Sequence, residues 1–188
     1  MRIGLYFGSF NPIHIGHIQL AQYIQQYCAL GEVWLVVSPN NPLKQQTDLW
    51  DEQLRLHLTE LAIADIPGLK ACDFEFNLPR PSYTIDTLKA MTAAYPDHEF
   101  YLIIGSDNVA IFHKWKNYKQ ILRNYRILVY PREDDDIEAL KQKYPRMQVI
   151  TDAPLFPVSS TMIRERLQRG EDVSDMVSPQ VAEELRKY

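Results

Sequence analysis

With 188 residues the chain has the length of a single domain with a sizeable core. Its 46% hydrophobic and 23% charged content excludes a disordered polymer, and seven Gly with twelve Pro exclude a low-complexity or collagen-like chain. A formal net charge of −4 counts against a non-specific nucleic-acid binder, which carries a positive balance.

Arg2–Phe7, RIGLYF, reads as a short buried strand ending at Gly8. The loop SFNPIHI leads into a helix from about Gly16 to Tyr27, with Ile18, Ala21 and Ile24 on one face. EVWLVV, Glu32–Val37, is a second buried strand, stopped by the turn SPNNP. Asp51 is the expected N-cap of a helix through Ala64, with Leu54, Leu58 and Leu61 at helical spacing. KACDFEF, Lys70–Phe76, reads as a third strand, and Thr84–Ala94 as the next helix. Strands follow at Glu99–Ile104, Arg126–Tyr130 and Gln148–Ile150, and helices at Ser159–Gln168 and Pro179–Lys187. The acidic run Glu133–Asp136 reads as a solvated loop.

Strands that are apolar throughout and alternate with amphipathic helices predict an α/β fold, a Rossmann-like doubly wound parallel sheet forming one domain over residues 1–188. Cys28 and Cys72 form neither a metal spacing nor a disulfide framework, so both are expected to be small buried side chains. No secretion signal is visible, and no apolar run approaches the roughly 20 residues of a membrane span. A soluble, reduced, cytoplasmic protein without nucleic-acid or membrane partners is expected.

Ligands of open α/β sheets bind beyond the carboxyl ends of the strands, near the switch point. Here those ends carry Gly8–His17, Ser38–Lys44, Gly105–Asp107 and Pro157–Arg164, the segments richest in Gly, His, hydroxyl and basic residues. A phosphate-bearing ligand suits them. GSFNPIHIGH, Gly8–His17, carries the strongest signal. Gly8 and Gly16 would let backbone approach a ligand, and the helix start offers free N–H groups to an anion. His14 and His17, three apart, can face one group. No third ligand stands nearby, and a helix N-terminus favours anions, so phosphate is the better partner than zinc.

HIGH at 14–17 resembles the signature of the nucleotidyltransferase superfamily that includes class I aminoacyl-tRNA synthetases. The longer string is similar to the G-G-[ST]-F-[DN]-P-x-H-x-G-H of nicotinate mononucleotide adenylyltransferases, with Phe7 replacing the first Gly and Asn11 where Asp is common. SPNNPLK (38–44) resembles a shortened form of that family's P-N-x-x-P-P-H-K loop, without its His. RPSYTIDTL (80–88), IIGSD (103–107) and VSSTMIRERL (158–167) match further family motifs in the expected order. The resemblance spans nearly the whole chain; HxGH is superfamily-wide, whereas SYTIDTL with SSTMIR is much more specific.

That resemblance implies transfer of the adenylyl group of ATP to nicotinate mononucleotide, without a covalent intermediate. It places Gly8, Ser9, Phe10, His14, Gly16, His17, Ser159, Ser160, Thr161 and Arg164 around ATP, with His14 and His17 catalytic. It places Asn40, Lys44, Tyr83, Thr84, Gly105, Asp107 and Trp115 on the mononucleotide side. No protein metal ligands are implied; Mg2+ would be held by the ATP phosphates and water. Monomer and homo-oligomer both stay open. Thr84 also reads as a helix N-cap, and Trp115, flanked by His113, Lys114 and Lys116, as a stacking surface rather than core. Arg55 and Arg80 read as surface or ion-paired residues. The competing readings are a sister enzyme such as phosphopantetheine adenylyltransferase, a tRNA synthetase fragment and a non-catalytic nucleotide sensor. SYTIDTL and Trp115 argue against the first, the acidic balance and lack of a KMSKS-like loop against the second, and the intact histidines and Arg164 against the third.

Overall fold

The computed structural model describes residues 1–40 and 48–188. Six strands run β1 (Arg2–Gly8), β2 (Glu32–Val37), β3 (Leu69–Cys72), β4 (Glu99–Gly105), β5 (Arg126–Tyr130) and β6 (Gln148–Val149). They form one sheet in the order β3-β2-β1-β4-β5-β6, every neighbouring pair parallel. This is the doubly wound order, and the direction in which strands are added along the sheet reverses between β1 and β4. Both faces of the central strands are buried, Leu5, Val33 and Leu35 at 0% exposure, which is why they read as unbroken apolar runs.

Among the described residues eight α-helices cover the sheet: α1 (Ile15–Tyr27), α2 (Glu52–Ile63), α3 (Thr84–Ala94), α4 (Ser106–Ile111), α5 (Tyr118–Asn124), α6 (Ile137–Lys143), α7 (Ser160–Gln168) and α8 (Pro179–Leu185). One apolar cluster joins Ile24, Leu35, Leu58 and Val181 on one face; a second joins Leu5, Leu88, Leu102 and Phe112 on the other. Asp51 caps α2 as expected, its carboxylate accepting from the N–H groups of Gln53 and Leu54. No helix among the described residues is long and apolar enough to cross a membrane.

Several sequence expectations need correction. The third strand stops at Cys72, because the chain folds into a 3-10 turn at Phe74–Asn77 that carries Glu75 inward to bond Thr87. The acidic run Glu133–Asp136 is the expected solvated loop; within it Asp135 accepts from the Arg132 N–H, and Asp136 caps α6 by accepting from the Ala139 N–H. α4, α5 and α6 were not anticipated, each being six or seven residues and too short to carry an apolar period. Cys28 and Cys72 are free thiols at the edges of the two clusters, half-buried rather than buried. Burial pushes the Cys72 thiol up to about 11.

Candidate active site

The loop after β1 folds inward. Phe10 holds the left-handed backbone conformation at φ 45° and buries its ring against Tyr6 and His17, with centroids 5.4 and 5.0 Å away. A Cβ on Gly8 would meet that ring at 3.0 Å, so Gly8 makes room for Phe10 and not only for a ligand. His14 is the N-cap of α1, and its Nδ1 accepts from the Gly16 N–H at 3.0 Å. His17 Nδ1 accepts in return from the His14 N–H at 3.1 Å. The two imidazoles stack with centroids 3.7 Å apart and 26° between planes. Gly16 is also a packing requirement, since a Cβ there would lie 2.8 Å from the His14 ring.

Those two hydrogen bonds fix the chemistry of the pair. A backbone N–H can only donate, so each Nδ1 is unprotonated and each neutral ring carries its proton on Nε2. Burial lowers His14 to about 4 and lowers His17 well below its usual value, with His14 repelling a second positive charge. Near neutral pH the pair is two uncharged Nε2–H donors.

The N-terminus of α7 reaches the same loop from the other end of the chain. Ser160 Oγ donates to the Pro12 carbonyl at 2.9 Å, and Arg164 Nη1 donates to the Asn11 carbonyl at 2.8 Å. Arg164 Nη2 donates to Thr161 Oγ1 at 3.3 Å, while Ser159 Oγ caps the helix by accepting from the Met162 N–H. The expected groups thus converge, but Ser159, Ser160 and Arg164 each have an intramolecular hydrogen bond.

On the mononucleotide side the structure brings most expected residues together. A cavity of about 240 Å³ at the carboxyl ends of β1 and β4 is lined by Gly8, Thr84, Gly105, Asn108, Trp115 and Tyr130. A neighbouring cavity of about 220 Å³ shares Phe7, Ser38 and Thr84 and adds Asn40, Glu75, Arg80 and Ser82. Trp115 is half-buried against Phe112, with ring centroids 5.2 Å apart, so it lies on the cavity surface as expected. Two residues depart. Tyr83, not Thr84, holds the N-cap position of α3, without a side-chain cap, and its exposed ring lies under Lys116 Nζ at 4.8 Å. Asp107 lines neither cavity; its carboxylate is exposed and ion-paired with Arg132 on the loop after β5. Lys44 lies outside the described residues.

Sequence reasoning missed the groups that frame these cavities. Arg55 is fully buried. It stands at the head of the spacing 55, 58, 59, 62 on the inner face of α2, a signal that was available. Glu75 is 5% exposed and accepts from Thr87 Oγ1 at 2.6 Å. Burial raises its carboxyl above the usual range, against the pull of the Thr87 and Ser82 hydroxyls.

Comparison with known proteins agrees with this geometry. Residues 5–166 match the cytidylyltransferase-like family. A protein of Flavobacterium johnsoniae named "Probable nicotinate-nucleotide adenylyltransferase" is 46% identical over 97% of this chain and 95% of its own. One of the same name from Bacteroides thetaiotaomicron is 45% identical over 100% of this chain and 92% of its own. The chain belongs to the nicotinate-nucleotide adenylyltransferase family. In this nicotinate-nucleotide adenylyltransferase family member HIGH, SYTIDTL and SSTMIR stand at the starts of α1, α3 and α7. The fold is shared with the Plasmodium falciparum nicotinic acid mononucleotide adenylyltransferase complexed with NaAD, at TM-score 0.81 and 21% identity, covering 100% of this chain and 95% of that one.

Proposed function

We infer that the protein transfers the adenylyl group of ATP to nicotinate mononucleotide, releasing pyrophosphate and giving nicotinate adenine dinucleotide. The observation that carries this reading is the stacked pair of neutral imidazoles, each locked as an Nε2–H donor beside the start of α1. Such a pair suits phosphate oxygens. It does not suit general-base work, because both Nδ1 atoms are already occupied. None is needed: a phosphate monoester has its second pKa at about 6 and is a ready nucleophile near pH 7. One of its oxygens forms the bond to the α-phosphorus as the bond to the bridging oxygen breaks, and pyrophosphate leaves with that electron pair.

What the protein supplies is placement and charge stabilisation. His14 and His17 donate to the triphosphate, and the free first-turn N–H groups of α7, with Arg164 beside them, favour its β and γ end. The surrounding groups are N–H, hydroxyl and guanidinium donors rather than carboxylates, so a Mg2+ ion would be held by the ATP phosphates and water and would neutralise part of their charge. Asn40, Thr84 and Trp115 receive the mononucleotide. No side chain caps α3. Its first-turn N–H groups therefore remain as donors beside the cavity that Thr84 lines, which favours a ring carboxylate over an amide.

Pyrophosphate release measured with nicotinate and nicotinamide mononucleotides tests the reading. An unpaired amide N–H facing a buried donor costs roughly 1–3 kcal/mol, so the nicotinate form is expected to lead in kcat/KM by about tenfold to a hundredfold. Equal values overturn the pocket assignment, and no release with either overturns the activity.

A further inference from the structure

Arg55 is the largest side chain with no exposure at all. Its guanidinium reaches three separate segments of the rim. Nε donates to the Trp50 carbonyl at 2.9 Å, Nη1 to the carbonyls of Ser9 and Ser38, both at 2.7 Å, and Nη2 to Asn40 Oδ1 at 2.8 Å. All four partners are neutral oxygens.

The last of these contacts decides which way Asn40 points. A guanidinium has only donors, so the amide oxygen of Asn40 must face Arg55 and its NH2 must face away. The backbone of Asn40 is held just as firmly. Its N–H donates to Glu52 Oε1 at 3.0 Å and its carbonyl accepts from Arg80 Nη1 at 2.7 Å, while Arg80 and Glu52 pair through two bonds of 2.7 Å. With oxygen, N–H and carbonyl all engaged, Nδ2 is the one polar atom of Asn40 without a hydrogen-bond partner among the described residues. Asn40 lines the cavity of about 220 Å³.

We propose that Arg55 is a positioning residue of the acceptor site: by holding the Asn40 oxygen it locks the Asn40 amide as a donor toward an anionic oxygen of the mononucleotide. A free asparagine side chain presents oxygen or NH2 with little preference, and half its orientations would repel an anion. Arg55 removes that choice without touching the substrate. The inference rests on the assignment of this cavity to the mononucleotide.

The test is a double-substitution cycle read by calorimetric titration of nicotinate mononucleotide into wild type, Arg55→Lys, Asn40→Ala and the double variant. Lysine keeps the charge but has no fork to satisfy four acceptors. Each single change is expected to raise Kd about tenfold to a hundredfold, the range for one hydrogen bond to a charged group. If Arg55 acts through Asn40, the double variant binds within about twofold of Asn40→Ala alone. Losses that multiply mean that Arg55 only holds the fold, and they overturn the proposal. Asn40→Asp decides the matter even if Arg55→Lys does not fold. Aspartate still accepts from Arg55 but turns a carboxylate oxygen to the ligand, so it should bind more weakly than Asn40→Ala; equal or tighter binding overturns the proposal. Repeating Asn40→Ala with nicotinamide mononucleotide separates the two anionic oxygens: an equal loss assigns the donor to the phosphate, and a loss confined to nicotinate assigns it to the ring carboxylate. Wild type that binds and turns over while the cycle is multiplicative removes the role of Arg55 alone. Wild type that does not bind nicotinate mononucleotide removes the site assignment as well.

Discussion

Replacing His14 with Asn separates the capping role of the imidazole from its protonation. Asparagine is a good N-cap, so the start of α1 can still be capped, but the side chain no longer titrates. His14 has its pKa lowered to about 4 in the folded protein against 6.5 for the free side chain, because burial disfavours the cation. The unfolded chain therefore binds more protons than the folded one between these values. The stability this group contributes is complete above about pH 6.5 and is lost as pH falls toward about 4. From about pH 7.5 to about pH 4.5 the linkage amounts to about 2.5 kcal/mol, lost by wild type and spared in the variant. Carboxylates such as Glu52, which titrate in both proteins, cancel in the difference. Urea unfolding followed by circular dichroism at the two pH values measures it. The stability gap should move in favour of His14→Asn by about 2.5 kcal/mol on acidification. A gap unchanged between the two conditions would show that the imidazole is not held neutral by burial, and the donor assignment of the pair would fall with it.

Four further outcomes are expected. His17→Ala should lower kcat by about 10² or more with ATP affinity comparatively intact, because a donor aimed at developing phosphate charge acts mainly in the transition state; near-normal turnover in a folded variant removes that role. Arg164→Ala should raise the KM for ATP more than that for the mononucleotide, and because Arg164 also holds the Asn11 carbonyl the variant should lose about 1 kcal/mol of stability or more; equal losses of AMP and ATP binding would place it away from the pyrophosphate end. Gly16→Ala should depress turnover despite alanine's better helix propensity, since its Cβ would lie 2.8 Å from the His14 ring, and an unchanged kcat would show that the stack is not required. Trp115→Ala should weaken both mononucleotides with the KM for ATP little changed, and steady-state kinetics with each substrate varied in turn will show whether the loss is confined to the acceptor.

What was legible in the sequence follows from how each feature is encoded. The buried strands β1, β2, β4 and β5 stand out because a parallel sheet covered on both faces demands apolar residues at every position. β3 was drawn too long, since nothing in the run DFEF distinguishes a strand from a turn that buries its glutamate. The histidines were visible as residues but not as a locked pair: their tautomers depend on two backbone N–H groups that are placed only once α1 forms. Arg55 is the clearest loss. The spacing 55, 58, 59, 62 marks it as facing inward, but its partners, the oxygens of Ser9, Ser38, Asn40 and Trp50, are joined by no local pattern. The motif places Asp107 beside the mononucleotide; the structure adds a contact of its exposed carboxylate with Arg132, a partner 25 residues away that the motif does not contain.

The ties between the first loop and α7 also set an order in time. Pro12 accepts from Ser160 across 148 positions and Asn11 from Arg164 across 153, and the Ile15 N–H donates to the Met176 carbonyl. On a ribosome adding about 5–20 residues per second, the histidine loop is made roughly 7–30 s before its partners exist. β1, β2 and β4 can pair during that interval, but the carbonyls of Asn11 and Pro12 wait in water. A nascent chain therefore carries the HIGH sequence long before it carries the α7 groups that complete its hydrogen bonds. If α7 holds the β and γ phosphates as proposed, ATP capture belongs to the completed chain and not to its first half.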